Sequence, residues 1–359
     1  MILFDLFPYI GLLFLTLLVP ELLNKKAAVF ILFLVFFVFS GFRYGVGWDY
    51  FNYVDALKEG GYGIERMEFI IRQLDYFCIK HGFTQFFFVA TSFFIVLFFF
   101  LMISKESEDP AASVFVFLCV PSFFLNSLIT IRYSLAVSMV LLSCHYGYKR
   151  QYIPYLLLLI AAFFTHKVAL FAVLTIPFVL TKKEFGLKTN LMIFITCFVF
   201  GKLIGSFSFI ASLLDVFLQR DFDTVAGAAN YMQDTGNANF SRTPYVFALI
   251  NFINLFVFRK NNQTETNQKL GHYITMYNIG VSLMFLFSFN STFSNRLSVF
   301  FTIFLTLVFP YYKAKPISKP LLYVFLIFIY FFQLTIRAYH PDFAGRLNCF
   351  LPYRMNLSF

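Results

Sequence analysis

The run "AAVFILFLVFFVFS", residues 27–40, breaks directly into "GFRYGVGWDYFNY", residues 41–53. The first stretch carries no charge and, with Gly41 and Phe42, is long enough for a short membrane-crossing segment. In hydrocarbon a single segment satisfies its backbone hydrogen bonds only as a helix. The second stretch brings an arginine, three glycines, a tryptophan, an aspartate and three tyrosines to the point where that helix leaves the membrane. A plain connecting loop has no need of so many aromatic and charged groups.

The same contrast recurs along the chain. Of 359 residues 60% are hydrophobic, 57 are Phe and 13% are charged, whereas a soluble domain carries about 25% charged residues. The apolar residues fall in blocks, about twelve spans of roughly 20 residues or fewer. The reading is an all-α integral membrane protein, a single polytopic domain over residues 1–359 with long outer segments at 43–85 and 210–244. Stretches 111–125, 168–181 and 297–312 each read as one span. The N-terminus lacks the basic region and small-residue cleavage site of a signal peptide. The five cysteines show no metal-ligand spacing, although Cys78 and Cys349 could pair.

The formal charge of +10 belongs to loops and anionic ligands. The basic residues are scattered between apolar spans and form no stripe, so no nucleic-acid partner is expected. One set of connections is short and lysine-dense, at 24–26, 149–151, 182–188, 259–270 and 313–319, and such loops face the cytoplasm. Both termini then lie outside. The inner set holds only Arg150 and Arg259, while the outer set holds Arg43, Arg66, Arg72, Arg132, Arg220, Arg242, Arg296, Arg337, Arg346 and Arg354. Lysine suffices for topology, but the planar guanidinium fork suits phosphate and carboxylate. Any chemistry therefore faces outward.

Several outer residues are candidates for that chemistry, each with a plainer alternative. Arg43 and Asp49 bracket Gly45 and Gly47, which let a backbone approach a ligand closely; a structural Arg–Asp pair is the alternative. Trp48, Tyr50 and their neighbours offer flat faces to sugar rings, or form an interfacial belt. Arg132 opens an apolar span, a placement costing about 2.5–3.5 kcal/mol at a helix centre and less where the side chain reaches headgroups. Asn126 stands at the turn before it. His166 marks the outer tip between two short spans, where a histidine can exchange a proton near neutral pH or serve only in packing. Arg296 opens a later span, and Arg242 lies on the long outer segment, where Asp221 and Asp223 lack a third metal ligand.

The succession "FRYGVGWDYFNY", "IRYSLAVSM", "FFTHKVAL" and "SNRLSVFF" resembles the EpsG-type polysaccharide polymerases, within the broader Wzy class of O-antigen and capsule polymerases. The resemblance spans most of the chain, with its sharpest motifs at 41–53 and 126–170. Tyr133 departs from it, since many relatives carry glutamine there. It implies a GT-C-like membrane glycosyltransferase that moves a growing glycan from undecaprenyl diphosphate onto a new lipid-linked repeat unit at the periplasmic face. Neither metal nor other cofactor is implied, and the partners are the lipid-linked oligosaccharide, the bilayer and a chain-length regulator. For such a reaction Arg43, Arg132 and Arg296 would supply fixed cations to the diphosphate. His166 and Asp49 are the candidate bases, and Trp48, Tyr50, Asn126 and Arg242 the sugar or loop contacts. A ligase or single-addition transferase would use the same parts. A flippase of the lipid-linked unit would need charges at mid-membrane depth, and the span centres are almost uncharged. An assembly protein would leave the arginine asymmetry unexplained.

Overall fold

The computed structural model describes residues 2–58, 67–120, 122–206, 243–258, 265–314, 318–336 and 349–356. The chain folds into two compact helical units, one of Met1–Ala169 with Thr306–Phe359 and one of Leu170–Leu305. In the first unit the helices are α1 (Ile2–Leu22), α2 (Lys25–Gly41), α3 (Tyr50–Lys58), α4 (Phe69–His81), α5 (Thr84–Glu106), α6 (Pro110–Cys119), α7 (Phe124–Ser127), α8 (Ile131–Tyr148) and α9 (Tyr152–Thr165). A final helix, Ser318–Ile336, packs against α6.

Local chemistry sets the helix starts. The Asn24 side chain accepts the Ala27 N–H at 3.0 Å to open α2, and Asp109 accepts the Ala112 N–H at 3.3 Å to open α6, with Pro110 at its first turn. Both are N-caps that satisfy donors the helix itself leaves unpaired. At the centre of the unit α8 is buried along almost its whole length between α5 and α9. Its polar residues fold back on the helix: Ser138 Oγ donates to Leu135 O at 2.8 Å and Ser143 Oγ to Val140 O at 2.6 Å, so no hydroxyl there is left unpaired against its apolar neighbours.

Among the described residues four segments are long and apolar enough to cross a membrane: Asp5–Leu22, Thr84–Glu106, Leu187–Ile204 and Phe293–Tyr312. Several shorter apolar helices accompany them. Leu321, Val324 and Phe328 form an exposed apolar stripe at helical spacing on Ser318–Ile336, and α9 carries another in Ile153, Leu157 and Ile160. Helices that are apolar on their outer as well as their inner faces suit a lipid surround.

Three expected spans are interrupted, each near a proline. In 111–125, α6 stops at Cys119 and Val120 is extended, as a residue preceding Pro121 tends to be. In 168–181 the chain runs as a 3₁₀ helix over Lys167–Thr175 and turns α-helical only at Ile176–Thr181, where Pro177 occupies the first turn. In 297–312 the helix Ser291–Thr302 gives way to a short helix, Leu305–Val308, and then to a second 3₁₀ stretch, Phe309–Ala314, that holds Pro310; all but the ends of this run lie within the candidate crossing segment Phe293–Tyr312.

The outer segment 43–85 carries helices of its own, α3 and α4. It also contributes to a departure from an all-helical chain. Strand β1 (Arg43–Tyr44) pairs antiparallel with β2 (Arg354–Met355), Arg43 opposite Met355. The C-terminal residues are fastened alongside: Asn356 N–H donates to Phe42 O at 2.7 Å, the Tyr9 hydroxyl to Phe350 O at 2.7 Å and the Tyr353 hydroxyl to Phe39 O at 2.6 Å. Cys78 and Cys349 are both buried free thiols.

The second unit contains helices Leu187–Ser206, Thr243–Val257, Glu265–Leu286 and Ser291–Thr302. Asparagines join the first three. Asn251 Nδ2 donates to Asn278 Oδ1 at 2.7 Å, and Asn278 Nδ2 to Asn190 O at 3.1 Å. Interhelical amide bonds of this kind hold helices together where lipid provides no hydrophobic drive.

Candidate functional site

One end of the first unit gathers the loop 43–49, the N-terminus of α4, the start of α8 and the turn after α9. Arg132, the second residue of α8, is the hub. Its Nη1 donates to Glu68 Oε2 at 2.7 Å and its Nε to the Tyr53 hydroxyl at 3.1 Å. The Arg132 side chain is 29% exposed and that of Glu68 10%, so the pair reaches the surface. Glu68 also accepts the Lys167 N–H through Oε1 at 3.2 Å. One carboxylate thereby ties α4, α8 and the turn after α9 together.

His166 closes α9 beside this pair, with its ring edge-on to Tyr133 at 5.7 Å between centroids. Its Nδ1 accepts the Val168 N–H at 3.2 Å. A backbone N–H can only donate, so the neutral imidazole carries its hydrogen on Nε2. In this tautomer Nδ1 is the ring's acceptor and Nε2 its donor. Asp49 is half-buried at the entrance to α3, and its carboxylate acts electrostatically on Tyr53. Burial pushes the Tyr53 phenol above its usual range, Arg132 draws it down, and Asp49 and Asp75 raise it further.

Arg43 stands apart from a ligand surface. It is 0% exposed, and its fork is turned onto the protein. Nη1 donates to Ser40 O and, at 3.2 Å, to Ser92 Oγ; Nε donates to Val46 O at 3.3 Å and Nη2 to Leu128 O at 3.4 Å. The guanidinium carbon lies 5.3 Å from the centre of the Phe88 ring. The partner expected under the plainer reading, Asp49, is replaced by backbone carbonyls. The glycines serve the same attachment. Gly47 has φ +103°, and a Cβ there would come 2.1 Å from Leu128 O, the carbonyl that Arg43 also reaches. The segment "RYGVG" is thus clamped onto the turn that leads into α8 and Arg132.

The other expected residues divide. Trp48 is 36% exposed beside Asp49. Tyr50 is 2% exposed, stacked on Phe88 at 4.3 Å, with its hydroxyl donating to Gln85 Oε1 at 3.4 Å, so its ring is occupied by protein. Asn126 Nδ2 donates to Thr130 Oγ1 at 2.9 Å, within the turn before α8. Arg296 is half-buried on a helix of the second unit, and Arg242 lies outside the described residues.

Two acidic residues at this end went unread in the sequence. Glu68, in "ERMEF", looks like one more loop charge. Asp75 does leave a signal, because the buried residues of α4 are Ile71, Asp75 and Cys78, an i, i+4, i+7 stripe with a carboxylate in its middle. At the opposite end of the unit Glu106 Oε1 meets His145 Nδ1 at 2.6 Å, and Lys25 Nζ donates to Glu108 O at 3.2 Å. No group of three or more His, Cys, Asp or Glu among the described residues could hold a metal ion.

The helices and the cluster define a polytopic membrane protein with an arginine–carboxylate site at one end. The family model for the EpsG family matches residues 26–355, and the chain belongs to that family. It is accordingly a polysaccharide-polymerase-like membrane protein, with the glycosyltransferase-like activity associated with its family. No curated protein and no solved structure matches it.

Proposed function

We propose that the protein lengthens a polysaccharide at the outer face of the cytoplasmic membrane. It moves a growing glycan from undecaprenyl diphosphate onto the terminal sugar of a new lipid-linked repeat unit, and Arg132 receives the diphosphate. The observation that carries this reading is the exposure of the Arg132–Glu68 pair. Among the arginines proposed for the diphosphate, Arg43 is wholly enclosed by protein, whereas Arg132 reaches the surface with its fork held by an exchangeable carboxylate. A diphosphate can take the place of Glu68 on that fork. Fixed cations at the leaving group lower the barrier without a metal, so the reaction is proposed to be metal-independent. His166, Trp48 and Asp49 are proposed to meet the acceptor sugar, and the polyprenyl chain lies against the Phe-rich helices. The spans are proposed to complete a GT-C-like set of about twelve.

The test replaces Arg132 by lysine in a strain lacking any other polymerase for the glycan. Lysine keeps the charge and loses the bidentate fork. Polymer synthesis normalised to membrane protein should fall by ~100–1000-fold, by analogy with losing one preorganised donor, while single repeat units accumulate on lipid. His166→Ala should likewise leave the protein abundant and remove the long chains. Native polymer length in both strains would refute the assignment of the site.

A further inference from the structure

At the end of the first unit away from Arg132, a cavity of about 660 Å³ lies between α1 and the helix Ser318–Ile336, with α2 and α6 behind it. These two helices are joined nearer their other ends, where the Tyr330 hydroxyl donates to Tyr9 O at 3.1 Å, and each packs on α6. Five charged side chains line the space: Lys25 and Lys319, with Glu21, Glu108 and Asp109. Among the described residues the ion pairs are Arg132–Glu68 and Glu106–His145, so neither lysine is matched to any of the three carboxylates. Lys25 Nζ donates instead to a backbone oxygen, Glu108 O, at 3.2 Å. Lys319 Nζ stands 5.5 Å from the centre of the Tyr323 ring. One oxygen of Asp109 caps α6.

We propose that this cavity binds the headgroup of an ethanolamine phospholipid, its phosphate at the two lysines and its primary ammonium at the three carboxylates. Charges of both signs that surround one space without closing on each other suit a ligand that also carries both. Two cations against three anions leave one negative charge in excess, which disfavours a headgroup that is only anionic. A primary ammonium brings three N–H donors, and charge-assisted hydrogen bonds to carboxylates are the strong ones. The quaternary ammonium of a choline lipid has no donor at all. The volume falls within the range of small-ligand sites, ~300–1,000 Å³.

The walls favour a lipid over a soluble zwitterion. Leu17 lines the cavity, and one turn further along α1 Phe14 continues the same exposed apolar face. On the facing helix Pro320 and Tyr323 line the cavity, and the exposed stripe of Leu321, Val324 and Phe328 runs away from it. Acyl chains can follow both faces while the headgroup stays among the charges. The lysine-dense loops 24–26 and 313–319 flank the site, as expected where lipid headgroups meet the cytoplasm. None of its residues belongs to the Arg132 cluster, so the site is independent of the polymerase assignment.

The experiment titrates the full-length protein, purified in detergent, with phosphatidylethanolamine, phosphatidylcholine and phosphatidylglycerol of identical acyl chains, and counts bound lipid by native mass spectrometry. The ethanolamine lipid should bind ~10-fold more tightly than the choline lipid, the worth of one charge-assisted hydrogen bond, and more tightly than the glycerol lipid. Glu21→Gln combined with Glu108→Gln should bring the ethanolamine-to-choline ratio close to one, because the carboxylates alone tell the two ammonium groups apart. Lys319→Gln should weaken both lipids alike and keep the ratio, because both carry the phosphate. Glycerophosphoethanolamine, the same headgroup without acyl chains, should compete ~100-fold less well or worse, and inorganic phosphate not at all. Equal binding of the three lipids by the native protein would overturn the assignment, as would a preference for the glycerol lipid or a ratio unchanged by Glu21→Gln with Glu108→Gln. Competition by the acyl-free headgroup as strong as by the lipid would make the ligand a soluble zwitterion and overturn the lipid. The preference of the native protein decides the matter even where a variant fails to fold.

Discussion

Arg43 and Arg132 show how two arginines at one end of the first unit come to differ. Each is a planar fork with five donors. Arg43 directs its fork to three carbonyls and a serine hydroxyl inside the fold, whereas Arg132 shares its fork between Glu68 and Tyr53 near the surface. Arg43→Lys should therefore act as a stability variant. An ammonium cannot span the same acceptors, and each buried carbonyl left unpaired costs about 1–3 kcal/mol. The expected result is a lower melting temperature in detergent and reduced membrane abundance, with polymer falling only in step with folded protein. Arg132→Lys should instead leave abundance unchanged while polymer is lost. The sequence announces both arginines through their outer placement, but not their division of labour. Two carbonyls on Arg43, at residues 40 and 46, are local, but its fork is enclosed only when Leu128 O and Ser92 Oγ approach from far along the chain.

Asp75 carries a pH signature at the same scale. Its carboxyl binds a proton up to about 7 in the folded state and only up to about 3.9 in an unfolded chain. The folded state therefore holds the extra proton between those values, and stability falls as pH rises across that window, levelling above it. Melting curves of the native protein and Asp75→Asn should converge in acid. They should separate as pH approaches about 7, with the native chain the less stable. Parallel curves would mean that Asp75 is not held as a buried acid.

At the scale of elements, the clamp between loop 43–49 and the turn 126–130 decides where α8 begins. Gly47 lies in a left-handed conformation against Leu128 O, so Gly47→Ala meets both backbone strain and a steric block. It should loosen the loop and lower membrane abundance, measured by blotting, more than an alanine replacing Trp48, whose side chain is exposed. The apolar blocks identified helices well, because hydrocarbon enforces that choice. The interruptions near Pro121, Pro177 and Pro310 were present in the same letters but gave way to overall hydropathy. The pairing of β1 with β2 was not legible, since it joins residues 43–44 to 354–355 across nearly the whole chain and neither strand has a pattern of its own. Residues 41–53 raised the right question, namely why a helix should leave the membrane through so many polar and aromatic groups. Arg43 and Gly47 hold the turn before α8 and Tyr53 meets Arg132, while Tyr44, Trp48 and Asn52 remain exposed.

Across the first unit, the two ends differ in chemistry. Arg132, Glu68, His166, Asp49 and Trp48 meet at one end, while Lys25, Glu108 and the Glu106–His145 pair meet at the other. The account requires the Arg132 end to face outward and to hold a polyprenyl diphosphate. In a background without native cysteines, a thiol placed at Trp48 or at Glu108 can be challenged by a membrane-impermeant maleimide on intact cells and on inverted vesicles. Trp48→Cys should label from outside, and undecaprenyl diphosphate should slow that labelling where undecaprenol does not; Glu108→Cys should label only in inverted vesicles. Labelling of Trp48→Cys from the cytoplasmic side alone, or at a rate indifferent to the diphosphate, would contradict the account.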